Sequence, residues 1–75
     1  MSDFPSLTGK KIIVVLKKTG FELIRIRGSH HFIKHPDGRC TVIPVHSNET
    51  IGRGLFSKIL HDCDISRIDF IKLMK

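Results

Sequence analysis

Apolar and polar positions alternate along the chain in blocks that change period, and the turn residues between blocks divide it into short elements. Ile12, Val15, Leu16 and Thr19 follow the spacing i, i+3, i+4, i+7, which places them on one face of a helix. Thr8 is a suitable N-cap and Gly20 a suitable left-handed stop, so the pattern predicts a helix from about Gly9 to Thr19. The run Ile12-Ile13-Val14-Val15 is also strand-like, and the paired caps decide for helix. Phe21 to Arg27 reads as a strand. Gly28-Ser29 lies between two β-rich runs with Gly in first place, a two-residue hairpin signal, and His30 to His35 is the returning strand. Pro36-Asp37-Gly38-Arg39 is a second turn. Cys40 to Val45 is a third strand whose Pro44 suits an edge or a terminus.

A polar loop, His46 to Gly54, leads to a helix from about Arg53 to Cys63 with Leu55, Ile59, Leu60 and Cys63 on one face. Ser66 to Asp69 fits a capping box and opens a last short helix carrying Phe70, Leu73 and Met74. The expected architecture is α+β, with a three-stranded antiparallel meander covered by helices. At 75 residues the chain is read as one domain, 1–75, with a single modest core. Its longest apolar run, Ile12 to Leu16, is far short of the ~18 residues a membrane span needs. Met1 to Lys11 lacks a hydrophobic signal core, so the expected location is cytoplasmic.

Charge adds the first functional hint. The net charge is +6, and the excess lies wholly in residues 1–60, leaving a neutral tail. Such a chain attracts polyanions, nucleic acid foremost, although the same charge also serves solubility. Cys40 and Cys63 fall on apolar patterns and read as small core residues, not nucleophiles. Five histidines raise the question of metal. His31 and His35 are four apart, but on a strand that spacing spans about 13 Å, too far for one zinc. Neither cysteine has a second ligand at metal-binding spacing, so no metal or other cofactor is expected.

Strand alternation puts His30, Phe32 and Lys34 on one face and His31, Ile33 and His35 on the other. Phe32 is read as the core anchor, with His30 rising to the rim beside the hairpin turn. Arg25 and Arg27 on the preceding strand give His30 a cationic neighbourhood. That favours neutral imidazole, the form a general base needs, against the plainer reading of an exposed histidine near a turn.

Thr19-Gly20-Phe21, Arg27-Gly28-Ser29-His30-His31-Phe32, Val42-Ile43-Pro44-Val45-His46 and Gly54-Leu55-Phe56-Ser57-Lys58-Ile59-Leu60 together resemble, in order and spacing, the HicA toxins. These are the YcfA-like messenger RNA interferases of bacterial type II toxin–antitoxin systems. The resemblance covers about residues 6–65 and implies a double-stranded-RNA-binding-domain-like α-β-β-β-α fold. It also implies metal-independent ribonuclease activity on single-stranded messenger RNA, neutralised by a HicB-type antitoxin. The essential histidine of the family follows Gly-Ser, which here is His30. Two departures are visible: Leu55 stands where the family usually has Thr, and Cys63-Asp64 replaces the usual Ala-Gly stop.

On that footing His30 is the expected general base. Arg27, Lys34 and the backbone of Gly28 and Ser29 are expected to support the charge that builds on phosphorus, and His46 is the candidate general acid. Lys10, Lys11, Lys17, Lys18, Arg25, Arg39, Arg53 and Lys58 are the candidate contacts to the RNA backbone, each individually also a plain surface charge. The loop Ile51-Gly52-Arg53-Gly54 could hold a phosphate or simply supply backbone freedom. A non-catalytic RNA-binding module on the same scaffold is the competing reading. The free protein is expected to be a monomer.

Overall fold

In the computed structural model, which describes residues 6–47 and 49–74, α1 (Gly9–Lys17) is followed by β1 (Glu22–Arg27), β2 (His30–Lys34), β3 (Cys40–Pro44), α2 (Arg53–Cys63) and α3 (Arg67–Leu73). This is the expected α+β order, the short C-terminal helix included. The leader reading of Met1 to Lys11 falls partly on residues 1–5, outside the described residues.

Local chemistry places most boundaries. Thr8 caps α1, its side chain accepting a hydrogen bond from the Lys11 amide at 3.3 Å. The helix ends two residues before the expected Thr19, and Gly20, at φ +102°, turns the chain toward β1. Ser66 caps α3 through the Asp69 amide at 3.1 Å. Asp64 ends α2 in the left-handed region (φ 55°, ψ 45°), and the Ile65 amide bonds the Leu60 carbonyl at 3.0 Å. Asp is one of the few residues besides Gly that tolerates this conformation, so the missing Ala-Gly stop leaves the helix end intact.

The sheet is an antiparallel meander in the order β1-β2-β3, with β3 and its terminal Pro44 at one edge. One face holds Leu23 opposite Ile33 and Thr41, and Ile26 opposite His31 and Ile43. This face meets the helices in a core that contains Ile12, Leu16, Phe21, Ile33, Ile43, Phe56, Ile59, Cys63 and Phe70. Burying each large apolar side chain contributes about 1.5–3 kcal/mol. Phe56 and Phe70 join α2 to α3 edge to face, with ring centroids 5.2 Å apart. At the far end of α3 the Lys18 ammonium donates to the Leu73 carbonyl at 2.9 Å.

Gly9 is buried where α1 starts across the end of β3, and a Cβ there would run into the Pro44 carbonyl oxygen. Thr41, the buried polar residue of the core face, donates its hydroxyl to Asp62 at 2.9 Å, and Lys58 pairs with the same carboxylate at 3.0 Å. The two hydrogen bonds, that of Lys58 first, hold the Asp62 carboxyl below its ordinary range.

Two expectations are corrected here. Phe32 is not the core anchor: Ile33 is 1 % exposed, whereas Phe32 is half-buried on the opposite face. Two apolar residues stand side by side in β2, and the helices pack on the face of the branched one because that face continues through Ile43 and Leu23. Cys40 is not a core residue either; it is exposed beside Lys34, on the face away from the helices, and Cys63 alone is buried. Burial pushes the Cys63 thiol up to about 12. A thiol-specific chromogenic reagent should therefore titrate one cysteine of the native protein quickly and the second only after denaturant is added. Prompt reaction of both would mean that α2 does not seal Cys63.

Candidate active site on the outer face of the sheet

β2 begins at the hairpin turn, and the turn decides where its first side chain points. Arg27 pairs with His30 across a two-residue connection, Gly28-Ser29. Gly28 has φ +61° while Ser29 is not among the positive-φ residues, the pattern of a II′ turn whose twist suits the flanking strands. The Ser29 carbonyl accepts the Val45 amide at 2.8 Å, which lashes the end of β3 to the turn. His31 Nδ1 lies 3.1 Å from the same oxygen. A carbonyl only accepts, so this nitrogen carries the proton. His31 is thus a brace for the turn on the core side.

His35 is equally committed. Its Nε2–H faces the Thr19 carbonyl at 3.0 Å, and its Nδ1 lies 3.1 Å from both the Asp37 amide and the Asp37 carboxylate. Its ring also meets Phe21 edge to face at 5.1 Å. His30 differs from both. It is exposed, and among the described residues its ring makes no hydrogen bond. Its face is the one turned away from the helices, shared with its strand partners Arg27 and Pro44 and with Phe32.

A β-bulge in β1 sets both Ile24 and Arg25 opposite Phe32, and the Arg25 guanidinium carbon lies 5.8 Å from the Phe32 ring centroid. Arg25, Arg27, Gly28, Ser29 and His30 therefore gather at one end of the outer face. Lys34 is on the same face but four residues along, about 13 Å from His30, beyond the reach of a shared phosphate.

His46 is exposed just past Val45, in a hollow of about 490 Å³ lined also by Thr8, Lys10, Lys11 and Val14. The start of α1 thereby brings Lys10 and Lys11 beside His46, at the turn end of the sheet. The other candidates lie elsewhere. Arg39 sits at the opposite turn, paired with Asp37 at 2.8 Å, donating to the Cys63 carbonyl and standing 5.1 Å over the Phe21 ring. Arg53 opens α2, and Lys58 is held by Asp62. Gly52 is the N-cap of α2 and contributes no side-chain cap, and Leu55 packs against the core. Among the described residues no three His, Cys, Asp or Glu side chains are placed to share a metal ion. No described helix is long and apolar enough to cross a membrane.

The family model for the HicA toxin of bacterial toxin–antitoxin systems matches residues 9–65, from the first residue of α1 to just past the end of α2. The chain belongs to the HicA toxin family. A comparison with curated proteins finds no match. The match spans the whole sheet and both long helices of this HicA-family chain, and α3 lies outside it.

Replacing Gly28 by Ala puts a Cβ on a residue with positive φ, at a cost of about 1–3 kcal/mol. Space is not the problem, since nothing lies within 4 Å of that Cβ. The urea midpoint of Gly28→Ala should fall accordingly, with the slope of the transition unchanged. An unchanged midpoint would show that the turn does not need the positive φ.

Proposed function

We propose that this HicA-family toxin is an endoribonuclease acting on messenger RNA, with His30 as its general base, and that an antitoxin of the HicB type neutralises it. The observation that carries the reading is the state of His30: an exposed imidazole, uncommitted by hydrogen bonds among the described residues, on a face crowded with cations. His31 and His35, by contrast, are occupied in holding the fold. Family membership supports a toxin with an antitoxin partner.

The chemistry needs no metal. His30 takes the proton of a ribose 2′-hydroxyl, and the 2′-oxygen attacks the adjacent phosphorus. The bond from phosphorus to the 5′-oxygen breaks, leaving a 2′,3′-cyclic phosphate on one fragment and a 5′-hydroxyl on the other. Arg27 and the amides of Gly28 and Ser29 supply the positive potential that the extra charge on phosphorus requires. The leaving 5′-oxygen needs a proton, and His46 is the candidate donor, because Val45 holds the start of its loop against the turn that carries His30. Lys10, Lys11 and Arg25 extend the cationic surface to either side for the neighbouring phosphates. On this reading the 75 residues act as a single domain.

Three outcomes are expected. In excess EDTA, the wild type should shorten total RNA while His30→Ala, with an unchanged circular dichroism spectrum, cuts about 10²–10⁴-fold more slowly. Equal cleavage by both would remove His30 from the reaction, and binding without cleavage by either would leave an RNA-binding module. If His46 is the acid, His46→Ala slows cleavage too; a rate ratio near one removes it. RNA affinity should also fall with salt, with a log–log slope of about −0.7 for each phosphate held by a cation. A flat dependence would refute the cationic surface as the RNA contact.

A further inference from the structure

The three largest fully buried aromatics are Phe21, Phe56 and Phe70, so the core is built without Phe32. Phe32 stands instead at the centre of the outer face, on the middle strand, directly opposite Val42 of β3 and facing the bulge of β1. Its apolar flanks are open: Ile24 is 58 % exposed and Val42 37 %. With Lys34 and Cys40 these side chains border a shallow concavity of about 480 Å³ that continues past the strands to Thr41 and to Lys58 and Asp62 of α2. The cations around this apolar centre are Arg25 over the ring, Arg27 and His30 toward the hairpin turn, and Lys34 and Lys58 on the other side. The acidic groups are Glu22, opposite Lys34, and Asp62, held by Lys58 and Thr41.

We propose that this face is a stacking platform for single-stranded RNA, on which Phe32 receives an unpaired base beside the phosphate presented to His30. The proposal rests on the ribonuclease reading above and names how its substrate is held. An aromatic ring and exposed aliphatic side chains bordered by positive charge complement a polymer that offers flat apolar faces on a chain of negative charges. A duplex hides its base faces and would leave the apolar centre of the platform unused. Phe32 and His30 are alternate residues of one strand, about 7 Å apart along it and on the same face, the step from a base to a neighbouring phosphate. The Arg25 guanidinium stands over the Phe32 ring, 5.8 Å from its centroid, so an incoming base would share the ring with it, and the same cation can bridge to the phosphate of the stacked nucleotide.

The chain contains no Trp, so Phe32→Trp creates a lone fluorophore at the proposed contact. Wild type, Phe32→Leu and Phe32→Trp would be titrated with a single-stranded oligonucleotide of about 12 nucleotides carrying 2′-O-methyl groups, which cannot be cleaved. Phe32→Leu should bind about tenfold more weakly, the loss of one stacked base, while Phe32→Trp keeps the affinity and its emission is quenched as RNA binds. A duplex of the same length should quench little.

Unchanged affinity in Phe32→Leu, or unquenched emission at saturating RNA, would overturn the platform. So would emission that responds to a partner protein and not to RNA, which would assign the face to protein. If Phe32→Leu fails to fold, judged by its thermal melt, the Trp variant alone decides. Cleavage of unmodified RNA by the wild type, read alongside, separates the two claims. Cleavage with an indifferent Phe32 rejects the platform only; neither binding nor cleavage rejects the ribonuclease reading with it.

Discussion

The burial of Ile33 and Ile43 against the helices is the constraint on which the arrangement of this domain depends. Side chains on a strand alternate, so once these two residues face the core, every neighbour in β2 and β3 is assigned a side. His31 goes inward to the turn, and His30, Phe32 and Lys34 go outward. A slip of one residue in the pairing would turn Ile33 to water and His30 into the core. The apolar cost of that slip is what holds the candidate base on the surface. Two devices pin the register at the hairpin end of the sheet: the Gly28-Ser29 turn, and the fit of the buried Gly9 against Pro44, the residue paired with His30.

The same constraint divides the histidines by task. His31 and His35 each use ring nitrogens to satisfy backbone groups at the ends of β2, where the ladder runs out of partners. Their ring nitrogens are taken up by these contacts, and a ring that shuttled protons would break the brace it supplies. His30, which among the described residues has no hydrogen-bond partner for its ring, is left open to solvent or substrate. Of the two adjacent histidines in this motif, His31 therefore supports the fold and His30 is the one left for the proposed chemistry.

Much of this was legible in the sequence. The caps at Thr8 and Ser66, the span of α2 from Arg53 to Cys63 and the hairpin at Gly28-Ser29 all rest on local chemistry, and local chemistry is written in neighbouring residues. What escaped was the side of β2 that is buried. Phe32 and Ile33 are adjacent and both apolar, so alternation within the strand does not choose between them. The choice is made by β3, where Thr41 and Ile43 match the Ile33 side, and by Leu23 across β1. Those pairings depend on register, which is non-local. Cys40 was misplaced for the same reason, being paired with outward-facing Lys34. The close approach of Gly9 to Pro44 joins residues far apart in the chain and left no local mark. For the site the local part was again the readable part: Arg27 through His30 lie together, whereas Arg39 proved to serve the fold through Asp37, Phe21 and Cys63.

A domain of this size also sets terms for how its activity is governed. Its core is consumed by packing helices over one sheet face, and at this size little room is left for an enclosed chamber in which a reactive group could be hidden. The imidazole on which the ribonuclease reading rests is therefore open to solvent, and on that reading the cations beside it would draw RNA in. Nothing built into β2 can move to cover it, because the strand is tied on both sides by its ladder. Restraint must then come from outside, from a body that occupies the outer face or bars the approach to it. That physical requirement agrees with membership of a toxin family defined by the pairing of toxin with antitoxin.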